Sequence, residues 1–120
     1  MEQDKIQKQP SMSLEENLKK ALTELLVLRL LSQRDFYIGE LTTLHEKSGG
    51  VLNIVFPYSA VYRLQQAGHI VESEKRNAPD GRRRQYLSIT EEGRIYLSQL
   101  LEVYLTFSKG IDAILREGDI

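Results

Sequence analysis

After Gly68 the apolar residues change from a helical spacing to a spacing of two, and at Thr90 the helical spacing returns. Strand side chains alternate between two faces whereas helical ones repeat every 3.6 residues, so this switch demands a β-ribbon set between helices. Residues Ile70 to Lys75 and Arg84 to Ile89 flank Asn77-Ala78-Pro79-Asp80-Gly81, a run of turn formers, which predicts a two-stranded hairpin. On its second strand Gln85, Leu87 and Ile89 share one face, and Arg84, Tyr86 and Ser88 the other. The same stretch concentrates positive charge. Residues 58–90 hold six basic and three acidic side chains, whereas residues 1–57 carry a net −1 and residues 91–120 a net −3. The chain as a whole carries −1, but attraction to a polyanion follows the local field.

The flanks of the ribbon read as helices. Residues 1–12 are polar, contain Pro10 and show no apolar stripe, the pattern of a flexible arm. Ser13 is positioned to cap a helix, with Glu15 and Glu16 in a first turn where the helix dipole favours negative charge. From Leu18 to Leu31 apolar residues are dense on more than one side, so this helix is expected to pack on its own domain and on something else. A second helix is predicted from Tyr37 to Lys47, with Ile38, Leu41 and Leu44 at helical spacing and Gly49-Gly50 closing it. A third carries Tyr58, Val61, Tyr62 and Leu64 and ends before Gly68; its start lies at Asn53 or Pro57, and the residues favour neither. Thr90 then caps a last helix whose first turn holds Glu91 and Glu92. Its stripe from Leu97 to Leu115 is broader than one small domain needs, and Gly110 is a weak point where it could bend.

Several function classes drop out. At 120 residues there is room for one compact domain, and 41% hydrophobic with 28% charged residues is the balance of a globular protein. No apolar run reads as a secretory leader or a membrane span, so a cytoplasmic protein with no membrane partner is expected. With no cysteine, and with His45 and His69 as the only histidines, neither a metal nor another cofactor is expected. No nucleophile–base order, phosphate loop or carboxylate pair stands out, which argues against an enzyme.

The element order α-α-α-β-β-α is that of an α+β, mainly helical winged helix-turn-helix extended by a long C-terminal helix. Such a fold lays its third helix in the major groove and its basic wing on phosphates or the minor groove. The third helix offers Tyr58, Ser59, Tyr62, Arg63 and Gln65 or Gln66; the wing offers Lys75, Arg76, Arg82, Arg83 and Arg84. Arginine's planar fork pairs with two phosphate oxygens at once. Each residue also has a plainer role. The arginine run fits a solvated turn, Arg63 a surface ion pair, Tyr58 or Tyr62 the core, and Tyr86 a brace for the wing.

The stretch from Leu25 to Leu97 resembles the PadR family of bacterial transcriptional regulators. The resemblance is carried by Phe36-Tyr37-Ile38-Gly39-Glu40-Leu41, by Gly49-Gly50, and by Tyr58-Ser59-Ala60-Val61-Tyr62-Arg63-Leu64. It continues through Ala67-Gly68-His69-Ile70-Val71-Glu72-Ser73 and through Gly81 to Arg94. The chain departs from the family at the entry to the third helix. There Val55-Phe56-Pro57-Tyr58-Ser59 stands where the family usually has Gly-Thr-Leu-Tyr-Pro, and Arg83 takes a wing position that is often proline. The resemblance implies a homodimer built from the first and last helices, usually a repressor, in the smaller of the family's two forms. For this chain the dimer contacts would be Leu18, Leu22, Leu25, Leu97, Leu101, Tyr104, Phe107, Ile111 and Ile114. It also leaves room for a small-molecule effector near those helices, although stacking on tryptophan is not open to a chain that has none.

The expected organisation is therefore a flexible arm over 1–12, a DNA-binding domain over 13–90 and a dimerisation helix over 91–120. The expected partners are double-stranded DNA, bearing a pseudo-palindromic operator, and a second copy of the chain. The rival reading is a winged helix that contacts only other proteins.

Overall fold

The computed structural model describes residues 22–50 and 58–117. The arm, the cap at Ser13, Leu18 and the start of the third helix lie outside those residues. The element order is helix α1 over residues 22–31, strand β1 (Phe36–Tyr37), a 3-10 helix (Ile38–Thr42), α2 (Thr43–Lys47), α3 (Tyr58–Gln66), β2 (Ile70–Asn77), β3 (Arg83–Ile89) and α4 (Glu91–Leu115). This is a winged helix-turn-helix with a long C-terminal helix.

The second and third helical segments meet the core on residues that their spacing singles out, whereas in α1, apolar on more than one side, packing selects them. Val27, Leu28 and Leu31 of α1, Leu41 and Leu44 of the second helical segment, and Val61 and Leu64 of α3 form one core with Phe36, Ile70 and Leu87 from the sheet. Fully burying side chains of this size contributes about 1.5–3 kcal/mol each, so this cluster holds the helices on the sheet. Tyr96, Leu97 and Leu100 from the start of α4 pack against its edge.

Two sequence expectations need correction. The helix expected from Tyr37 begins later, and the hairpin has a third strand, in the order β1-β3-β2. Phe36 and Tyr37 pair with Leu87 and Tyr86 on the free edge of β3. That pairing holds Tyr37 extended (φ −91°, ψ 158°), and the Glu40 carboxylate accepts its N–H at 3.2 Å. The chain then takes a 3-10 helix before α2. Strand pairing with residues 49 and 51 positions away in sequence overrides the local helical spacing.

The hairpin also carries a bulge. Glu72 faces Leu87 and Lys75 faces Gln85, so three steps on β2 match two on β3. Directly opposed residues share a face, so the extra residue reverses which β2 side chains share a face with β3's core-facing Leu87. Below the bulge Ile70 turns to the core beside Ile89; above it Arg76 lies with Arg84 on the face that Tyr86 occupies. The hairpin ends in a turn closed by Gly81 N–H to the Ala78 carbonyl at 2.8 Å. Gly81 sits at φ 85°, a left-handed conformation open to glycine without a Cβ penalty. Gly49 and Gly50, at φ 69° and 81°, close α2 as expected.

The root of the wing is fastened to α4. The Thr90 hydroxyl accepts the Gly93 N–H at 3.0 Å, the expected cap, and donates to the Gly68 carbonyl at 2.7 Å. The Thr90 N–H donates to the His69 carbonyl at 3.0 Å, and the His69 ring stacks on Tyr96 with centroids 4.2 Å apart. Helix α4 runs on through Gly110 without interruption.

Candidate nucleic-acid interface

Helix α3 buries Ala60, Val61 and Leu64. At 100° per residue the opposite side of the helix is a strip of Tyr58, Ser59, Tyr62 and Gln66, and all four are exposed, Tyr58 by 54% and Tyr62 by 63%. Gln65 and Arg63 stand on the two flanks, half-buried. The strip therefore contains three of the four residues expected to read DNA on this helix, and of the two glutamines it takes Gln66.

Arg63 does something else in this structure. Its Nε–H donates to Glu24 Oε2 of α1 at 3.0 Å, an ion pair between residues 39 apart in sequence. Tyr96 of α4 lies beside this pair. Burial pushes its phenol above the ordinary value, with the charge of Glu24 adding to the rise and that of Arg63 opposing it. The surface ion pair, the plainer of the two sequence readings, is thus the contact that Arg63 makes.

The five wing cations divide into two groups. Tyr37 and Tyr86 meet edge to face, 5.6 Å between centroids, on the side of the sheet away from the helices. Arg76 lies over the Tyr86 ring at 3.9 Å and Arg84 over Tyr37 at 5.1 Å. Arg76 further contacts Glu74 at 3.1 Å and Asp35 at 3.8 Å, and Arg84 contacts Asp80 at 3.1 Å. Arginine stacks well because its flat, weakly hydrated cation sits favourably on a ring face. The two side chains brace the wing while adding to its charge. Tyr86, 5% exposed, is the brace that its alternation suggested.

Among the described residues, the wing's ion pairs all involve Arg76 or Arg84. Lys75, Arg82 and Arg83 are exposed around the tip. Asp80 organises that tip from within. The Arg82 backbone N–H donates to it at 3.0 Å, and with the Arg84 guanidinium this holds its carboxyl below the ordinary value. Sequence reading missed Asp80 as an organiser, although an aspartate two residues ahead of a turn amide is a known signal.

Of the described residues expected at a dimer contact, five line one groove. Leu22, Leu25 and Leu26 of α1 and Leu97, Leu101 and Tyr104 of α4 line a groove of about 800 Å³. Leu25 forms its buried floor, only 7% exposed. Beyond the groove Phe107, Ile111 and Ile114 stand exposed by 64%, 54% and 65%. Along α4 the apolar positions repeat every seven residues: Leu97, Tyr104 and Ile111; Leu100, Phe107 and Ile114; Leu101 and Leu115, with Ser108 between them. That is the period of helices that pack side by side. Among the described residues no helix is long and apolar enough to cross a membrane, and no group of three metal-ligating side chains occurs.

The fold is similar to that of solved transcription regulators. A PadR-like transcriptional regulator from Bacillus cereus superposes with a TM-score of 0.73 at 23% identity, over 85% of this chain and 99% of its own. The fold is the PadR-like fold. A transcriptional regulator from Clostridium thermocellum matches at TM-score 0.70 and 26% identity, over 83% of this chain and 99% of its own. A PadR family transcription regulator from Clostridium difficile matches at 0.66 and 21%, over 78% and 98%. No protein-family profile and no curated protein matches the chain by sequence. In the PadR-like fold of this chain, the strip on α3 and the tip of the wing are exposed, and most of the exposed large apolar side chains among the described residues lie on α4.

Proposed function

We propose that this chain is a PadR-like transcriptional regulator that binds double-stranded DNA as a homodimer. The observation that carries the reading is the exposed strip of Tyr58, Ser59, Tyr62 and Gln66 on α3, in the same domain as a braced wing that exposes Lys75, Arg82 and Arg83. On this reading α3 enters the major groove and its strip meets base edges, while the wing tip neutralises phosphates. Residues 13–90 are the DNA-binding unit and residues 91–120 the dimerisation helix, with the arm 1–12 adding phosphate contacts. The regulator works in the cytoplasm, acts as a repressor at a pseudo-palindromic operator, and has no catalytic activity.

The apolar surface supports the dimer. Leu101, Tyr104, Phe107, Ile111, Ile114 and Leu115 are already about half covered, so covering the remainder with a partner contributes roughly 0.7–1.5 kcal/mol per side chain. A second copy adds the same set again, against an association cost of roughly 4–15 kcal/mol. Two-fold symmetry then sets the two α3 helices roughly 34 Å apart, one turn of DNA. A small-molecule effector seated beside the α1–α4 groove would act by changing that spacing.

The test is duplex binding as a function of salt. Affinity should fall steeply between about 50 and about 200 mM salt, and replacing Lys75, Arg82 and Arg83 together by alanine should weaken binding to all sequences alike and flatten the slope. Flat salt dependence would instead favour a module that contacts only proteins. Sedimentation at micromolar concentration checks the dimer, and Phe107→Glu with Ile114→Glu should yield monomers.

A further inference from the structure

The ion pair of Arg63 with Glu24 carries a consequence for DNA affinity. Arg63 stands on the flank of α3, adjoining the exposed strip, and retains 40% side-chain exposure; Glu24 retains 21%. A guanidinium at that place is within the charge field of any phosphate that approaches α3, yet its Nε–H is directed at a carboxylate of α1. A carboxylate and a phosphate oxygen compete for the same donors, and a partly exposed ion pair is worth only a few-fold in an equilibrium constant. The two states of Arg63 therefore lie close in free energy.

We propose that Glu24 is an affinity-setting residue that holds Arg63 back from the DNA. Glu24 lies outside the helix-turn-helix and the wing, and it acts through Arg63, so it is a positioning residue. With Glu24 ionised, α3 engages DNA through Tyr58, Ser59, Tyr62 and Gln66, and Arg63 adds no phosphate contact. With the carboxylate neutralised, the guanidinium turns outward and adds one. This inference rests on the DNA-binding reading above.

The experiment measures affinity of the full chain for a mixed-sequence duplex of about three helical turns (~30 base pairs), between about 50 and about 200 mM salt. Four proteins are compared: wild type, Glu24→Gln, Arg63→Gln and the double variant. Glu24→Gln should bind several-fold more tightly and steepen the slope of log affinity against log salt by about 0.9, the signature of one further phosphate contact. Arg63→Gln in the wild-type background should change affinity by less than about twofold, and in the Glu24→Gln background it should abolish the gain. Equal loss from Arg63→Gln in both backgrounds, or no gain from Glu24→Gln, overturns the proposal. If Glu24→Gln does not fold, Arg63→Gln alone decides, since a large loss of affinity means that Arg63 already touches DNA. Absence of salt-dependent binding in the wild type itself marks failure of the DNA-binding reading, and the proposal falls with it. Salt-dependent wild-type binding with an unresponsive Glu24 marks failure of this proposal alone.

Discussion

Replacing Gly93 by alanine should destabilise the protein, although the position is helical and alanine is the better helix former. An ideal Cβ at Gly93 lies 2.0 Å from the His69 carbonyl oxygen, 2.8 Å from Ile89 Cγ1 and 3.0 Å from the His69 carbonyl carbon. Ordinary contact begins near 3.4 Å, so α4 and the wing root must separate by roughly 1.4 Å. The carbonyl has little freedom to yield, because it accepts the Thr90 N–H at 3.0 Å. Backing α4 away also strains the bond from the Gly93 N–H to the Thr90 hydroxyl, which is the cap of the helix. Overpacking costs about 1–3 kcal/mol, the cap and the hydrogen bond about 1 kcal/mol each, and alanine returns about 1 kcal/mol of helix propensity. The net loss is about 2–4 kcal/mol, which at ~4 °C per kcal/mol lowers Tm by roughly 8–16 °C. Gly110→Ala is the matched control. It sits in the same helix with nothing within 4 Å of its Cβ, so it should stabilise by about 1 kcal/mol. Thermal denaturation at equal protein concentration reads both, since a dimer's Tm depends on concentration. A Gly93→Ala protein melting at or above wild type would refute the close approach of α4 to the wing root.

Thr90→Ala should cost about 1–2 kcal/mol by removing the acceptor for Gly93 N–H and the donor to Gly68, and Thr90→Ser should recover most of it; chemical denaturation measures both. Tyr86→Ala should cost about 3–5 kcal/mol, because the buried ring supports Tyr37 and carries Arg76, with loosening of the wing visible in amide exchange of β2 and β3. The wing tip should be acid-sensitive. Asp80 has a folded pKa below its unfolded one, so its contribution is complete above the unfolded value and disappears as pH falls through the folded value. Following the Arg82 amide by NMR from neutral to acidic pH should show this loss, and Asp80→Asn should remove the dependence.

By itself the sequence determined whatever local spacing and turn chemistry control. Leu41, Leu44, Val61 and Leu64 join the core because helical spacing places them on one side, whereas α1 is apolar on more than one side and only packing selects Val27, Leu28 and Leu31. Gly49, Gly50 and Gly81 mark the turns because few other residues tolerate their positive φ, and Thr90 caps α4 because a hydroxyl there meets an otherwise unpaired amide. Tertiary structure decided what depends on partners distant in the chain. Phe36 and Tyr37 become a strand only because β3 offers a free edge, and the bulge in β2 brings Arg76 onto the Tyr86 side of the sheet. Five wing cations that look alike in sequence separate into two that brace the wing and three exposed near its tip. Arg63 is drawn to Glu24 by packing of α3 beside α1, a proximity that no local pattern encodes. Period and turn residues act over a few peptide units, whereas ion pairs and strand edges form only once the core has brought their elements together.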